Sequence, residues 1–316
     1  MTKANQITAT KTSKAAGAKN NHGKMPASSK QKNSILLFKK PAAVNSQANS
    51  LVAAKGGRHS STAYRESLAA DDFVSDLARQ ALRHQAVCHP YLEALGKGNL
   101  PDLRFALKDF ARQYYGYSAH FPRYLTALIS KLERPDHRSA LLENLTEESG
   151  QYEQEELDEL AEFGVAAEWI VGIPHPELFQ RFRQALGVVN TGAVDDHIEV
   201  ICWREQFLAL LNSGSAAEAL GALGLGTETI VQTIYQPFVA AIQQIQMDPR
   251  DSVFFPLHTA VDDHHQATLK QIAVDFAATA QGRADLTKGM YKALALRNSF
   301  WSWLHQRALK ADALAA

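Results

Sequence analysis

The chain has 316 residues, 46% apolar and 21% charged, which is the make-up of a globular protein rather than a fibrous or disordered one. No run approaches the ~18 consecutive apolar residues of a spanning helix, so no integral membrane protein is expected and a cytoplasmic location is. Its two cysteines, Cys88 and Cys202, are too few for a disulfide framework or a thiolate metal cluster.

The formal net charge of zero is a cancellation. Residues 1–65 hold 12 Lys plus Arg and no acid, so the rest of the chain carries 21 bases against all 33 acids. The basic stretch is rich in Lys, Ala, Ser and Asn, with one apolar cluster at Ile35–Phe38. It cannot bury enough surface to offset its ordering entropy and is expected to be a disordered tail. Its lysines, ten against two arginines, argue against a transit peptide, which favours arginine. Contact with nucleic acid or anionic lipid is the other reading of such a tail.

From about residue 66 the pattern becomes helical. Phe73, Leu77, Leu82 and Val87 form an apolar stripe, followed by Phe105, Phe110, Tyr114 and Tyr117, then Phe121, Tyr124, Leu125, Leu128 and Leu132. Later helical stretches are expected at 178–186, 195–211, 227–246, 255–279 and 287–309. Punctuation separates them: Gly96-Lys-Gly98, Arg134-Pro135, Gly172-Ile-Pro174 and Asp248-Pro249. No alternating β-branched run, GxGxxG or P-loop occurs. The expected architecture is all-α, a single bundle of about seven helices over 66–316.

The stretch FFPLHTAVDDHHQATL carries the chemistry. At about 100° per residue, His258, Asp262 and His265 fall within roughly 60° of arc on one helix face. An aspartate on an otherwise core-facing stripe is costly unless it is paired or bound to a metal. Partners must come from other helices. The candidates are Glu147 and Glu148 in NLTEESG, Glu228 in GLGTETIV and His175 in IPHPEL. Each has a plain alternative: a solvated acidic face for the pair, a favourable helix dipole for Glu228, and a loop residue before proline for His175.

Taken together, these segments resemble the haem-oxygenase-like diiron oxidases and oxygenases, a superfamily that includes the TenA and PqqC proteins. The resemblance covers about residues 70–309, from HPYLEALGKGNL through FARQYYGYSAHFPRYL and NLTEESG to MYKALALRNSFWSWL. It implies six iron ligands: Glu148, His175, Glu228, His258, Asp262 and His265. Glu148 is preferred to Glu147 because it holds the ExG position. One departure is the 26 residues between Glu148 and His175, more than the family usually shows. Six oxygen and nitrogen donors without a thiolate suit iron better than structural zinc.

The resemblance further implies two Fe(II) ions, O2 as co-substrate, an external electron donor and a small-molecule substrate. N-oxygenation of an amine, amino acid or guanidine-type compound is the expected reaction. The alternatives are oxidative C–C cleavage or decarboxylation at the same site, and a non-catalytic or metal-free TenA- or PqqC-like protein. Arg204 and Arg297 are the expected carboxylate anchors, and Tyr115, with Tyr114, Tyr117, Tyr124, Tyr235 and Trp203, is expected to line the pocket. A homodimer is possible, and no nucleic acid is expected on the folded domain.

Overall fold

Prolines and short polar side chains set where the helices begin. Pro90, Pro122, Pro135 and Pro176 stand in first helical turns, where a missing N–H forfeits no helical bond. Asp102, Ser215 and Thr279 cap their helices by accepting from backbone N–H groups. The computed structural model describes side chains over residues 69–189, 196–260 and 266–311, and backbone also over 59–68 and 262–265. All of these lie in one of the chain's two units, Ala54–Ala316. The expected tail lies outside the described residues up to His59, where the first helix begins.

In chain order the helices are α1 His59–Leu82, α2 Pro90–Lys97, α3 Leu103–Ser118, α4 Phe121–Ile129, α5 Pro135–Glu148, α6 Gln154–Glu162 and α7 His175–Ala185. There follow α8 Ile198–Ser213, α9 Ala216–Leu220, α10 Thr229–Gln244, α11 Phe254–Ala260, α12 Asp262–Phe276 and α13 Ala280–Leu309. A 3-10 turn spans Ala167–Trp169, and a π-helical stretch, Gly221–Glu228, joins α9 to α10. No strand occurs among the described residues, and none of their helices is long and apolar enough to cross a membrane. The all-α expectation holds, but the helices outnumber the seven or so expected. The stretch read as one helix over 255–279 is helical on both sides of residue 261, which lies outside the described residues, and polar faces hid α5 and α6 from the apolar pattern.

The core is aromatic. Phe110 lies 4.0 Å from Phe238 between ring centroids, and Tyr117 stacks on Trp203 at 3.8 Å and 4°. The 30-residue α13 runs against α9, the π-helical stretch and α8. Two glycines let it approach at backbone distance. A Cβ on Gly289 would lie 1.9 Å from the Glu218 carbonyl oxygen, and one on Gly221 would lie 2.1 Å from that of Leu286. Packing therefore overrides the poor helix propensity of GALGLG and draws it into the bundle.

The 26 residues that separate Glu148 from His175 form a closed excursion. Gly150, at φ +82°, turns the chain outward, and Gly172 N–H donates to the Gly150 carbonyl at 2.7 Å on its return. Chain departure and chain return are thus neighbours, with α6 and the 3-10 turn between them.

His89 caps α2 through Nδ1, which accepts from Tyr91 N–H at 3.0 Å. Its Nε2 therefore carries the proton and donates to Ser302 Oγ at 3.1 Å. Burial first, then the nearby His305, lowers this imidazole to about 4. The unfolded chain thus binds a proton here before the folded one does, and stability is lost as pH falls from about 6.5 towards 4. Replacing His89 with Asn, a capping residue that does not titrate, should flatten urea-unfolding stability across that window.

Candidate metal centre

Side chains from three helices meet at one point. Glu148 is the last residue of α5, His175 the first of α7, and α11 brings in His258 from 83 positions beyond His175. Their potential ligand atoms all lie within 4.8 Å of one another. Closure of the Gly150–Gly172 excursion is what sets Glu148 beside His175. Both are buried, and the two imidazoles lie 4.8 Å apart between centroids, inclined at 66°.

The outer contacts orient both rings. His258 Nδ1 donates to the Phe254 carbonyl oxygen at 2.6 Å, which turns Nε2 towards the cluster. His175 Nε2 bonds the Tyr152 hydroxyl at 2.7 Å, which leaves Nδ1 on the cluster side. That Nδ1 lies 3.1 Å from Glu148 Oε1 without the alignment of a hydrogen bond, and no described group satisfies it. A buried imidazole nitrogen and a carboxylate oxygen this close, with His258 at the same point, form a donor set that a cation can share. Oxygen and nitrogen donors without sulfur fit iron.

The cluster opens onto an interior cavity of about 60 Å³, the volume open to the centre of a water molecule. Glu147 and Glu228, both buried, stand on its wall with the three clustered residues. Glu228 ends the π-helical stretch in the middle of a run that is helical from Ala216 to Gln244. It has no helix N-terminus to stabilise, so the dipole explanation of this acid does not apply. An extra residue in a helical turn redirects the side chains around it, and here a buried carboxylate is set towards the cavity. The side chains of Asp262 and His265 lie outside the described residues; their backbone begins α12, directly after the helix that carries His258.

The sequence model of the iron-containing redox enzymes matches residues 108–298, well over half of the chain. The chain belongs to the iron-containing redox enzyme family. Solved structures agree on the fold. A CADD-like protein of unknown function from Nostoc punctiforme superposes with TM-score 0.60 at 16% identity, covering 76% of this chain and 98% of the other. A domain of unknown function with a haem oxygenase-like fold from Shewanella denitrificans gives 0.56 at 12%, covering 76% and 91%. A TenA homolog from Pseudomonas syringae gives 0.55 at 13%, covering 74% and 91%. No curated protein matches the sequence.

In this iron-containing redox enzyme, the residues expected to bind substrate stand back from the cavity. Arg204 pairs with Asp196 and donates to the Gly116 carbonyl at 3.0 Å. Tyr115 stacks on Phe179 and carries the Arg183 guanidinium 4.1 Å above its ring. Arg297 is fully buried behind Tyr114 and Tyr117, which do line the cavity. So do Tyr235, Phe121 and Phe179. Tyr124 and Trp203 are buried away from it.

Glu147, a candidate set aside for its neighbour in the ExG pattern, stands on the wall beside it. Tyr152 is a wall residue the sequence reading passed over. It was submerged in the acidic run GQYEQEELDEL, although a tyrosine two positions beyond the glycine of NLTEESG was a usable signal. Burial first, and then the Glu148 carboxylate, push the Tyr152 phenol far above its ordinary value, so it stays protonated. Tyr152→Phe should weaken iron binding by about 10- to 100-fold, as loss of a group that orients a metal-bound histidine does, with little change in helicity. Competition with a chelator followed by iron analysis measures this.

Proposed function

We propose that this chain is a non-haem diiron oxygenase that uses O2 to oxidise a small molecule, most simply by N-oxygenation of an amine, amino acid or guanidine-type compound. The convergence of Glu148, His175 and His258 on one buried point, with Glu228 on the same cavity wall, carries this reading. Asp262 and His265 complete the six donors that the family resemblance implies. Glu148, His175, Glu228 and His258 are the residues that would hold ferrous iron, which when bound would supply electrons to O2, with an external donor to restore them.

The chain's own groups have definable parts in this. Glu148 and Glu228 bring negative charge that offsets the cations, and a carboxylate can bind through one oxygen or two as that charge changes. His258, held by Phe254, and His175, held by Tyr152, keep their ring orientations throughout. Tyr117, Phe121 and Phe179 wall the cavity with aromatic surface, excluding water from the reacting centre. A thiol-dependent, metal-free hydrolase is less well supported, because Cys88 and Cys202 are exposed and neither lines the cavity.

Anaerobic titration of the full chain with ferrous iron tests the reading. Binding should saturate near about two equivalents, and admitting O2 should oxidise the iron and consume oxygen. Saturation below one equivalent, with no oxygen uptake in the presence of amines or amino acids, would sink it.

A further inference from the structure

Arg297 is a buried cation with 1% of its surface exposed, and no carboxylate among the described residues pairs with it. Its guanidinium instead lies beside the rings of Tyr117, Trp203 and Trp301 at 5.4 to 6.0 Å from their centroids. Such a charge is costly to bury, and aromatic faces offset it only in part. Its Nη1 donates to the Tyr114 hydroxyl oxygen at 3.4 Å, and that hydroxyl lies 2.9 Å from the hydroxyl of Tyr235.

A guanidinium accepts nothing, so Tyr114 Oη must accept from Arg297. Of the two hydroxyl protons of Tyr114 and Tyr235, one is spent on the 2.9 Å bond between them, in either direction, and one remains to be offered. Both tyrosines line the cavity, Tyr235 at 5.8 Å from the His258 ring between centroids. Two hydroxyls thus carry the pull of a hidden cation to the cavity surface beside the metal ligands.

We infer that the Tyr114–Tyr235 hydroxyl pair anchors the carboxylate of the substrate, with Arg297 acting as a positioning residue behind it. The inference deepens the oxygenase reading and rests on it for calling the ligand a substrate. It selects, among the classes named above, an amino acid or another amine bearing a carboxylate. A simple amine or a guanidinium gives Arg297 no counter-charge, and a guanidinium gives the hydroxyl pair no acceptor.

The test compares hexanoate with hexylamine on the iron-loaded full chain. Calorimetry measures affinity, and the emission of tryptophan reports on Trp203 and Trp301 beside Arg297. Hexanoate should bind the more tightly. Tyr235→Phe should weaken hexanoate by about tenfold or more, as loss of a hydrogen bond to a charged group does. Hexylamine affinity should stay within about twofold and iron content should not change. Tyr114→Phe should act in the same direction, and it guards against misfolding of either single variant.

Hexanoate held through iron alone would survive both substitutions and overturn the inference, as would equal affinities or no saturable hexanoate binding. The two readings fail separately. Tyr235-dependent carboxylate binding in a chain that takes up no iron removes the oxygenase. Iron and oxygen uptake with a neutral Tyr235→Phe removes the anchor.

Discussion

His258→Ala is expected to strip the centre of iron and abolish oxygen uptake while leaving the helical signal almost unchanged. His258 is only half-buried and lies on the cavity wall, so removing its ring leaves the fully buried core around it in place. Its loss removes one of the three clustered donors and the one that α11 contributes. Losing a group that merely orients a ligand lowers metal affinity by about 10- to 100-fold, so losing the ligand should cost at least about 100-fold. Iron analysis after dialysis, circular dichroism and an oxygen electrode measure the three consequences. Iron retained at the wild-type level would show that the cluster is a hydrogen-bonded core and not a metal centre. Asp262→Ala should match it if the resemblance has placed that ligand correctly.

The largest loss of stability should come from a glycine far from any chemistry. Gly289→Ala puts a methyl group 1.9 Å from the Glu218 carbonyl oxygen, and the obstacle is backbone that no rotamer change relieves. Overpacking of this kind costs about 3 kcal/mol, at the upper end of the usual range. For a domain of this size that lowers Tm by roughly 6–12 °C. Gly164→Ala is the control. That glycine has φ +79° and nothing within 4 Å of the point a Cβ would occupy, so only the left-handed backbone penalty of about 1 kcal/mol applies. Thermal unfolding of the pair separates close helix approach from turn strain. Because α13 presses on the π-helical stretch that ends at Glu228, Gly289→Ala should also loosen iron binding.

Local patterns in the chain were enough for much of this. Helical periodicity identified the all-α class and placed α7, α8, α10 and α13 within a few residues along most of their lengths, because each helix repeats its burial every turn. It missed α6, whose single fully buried side chain, Leu160, leaves no stripe to see. It also missed the helical nature of GALGLG, where glycine propensity points the other way and only contact with α13 decides. His258 could be picked out because the HxxxDxxH spacing is itself a helix-face pattern.

The centre needed the tertiary structure, since its parts are joined through space. That Glu148 touches His175 follows from where a 26-residue excursion closes, through one Gly172-to-Gly150 bond that no spacing rule contains. Tyr152 matters because that same excursion lays it against His175. Arg297 is legible from its chemistry as a carboxylate anchor, yet only the folded chain sets it behind a pair of tyrosine hydroxyls on the cavity wall. A residue's type and its phase along a helix are carried by its neighbours in the chain. The partner it meets depends on how distant helices pack, which no short window of residues encodes.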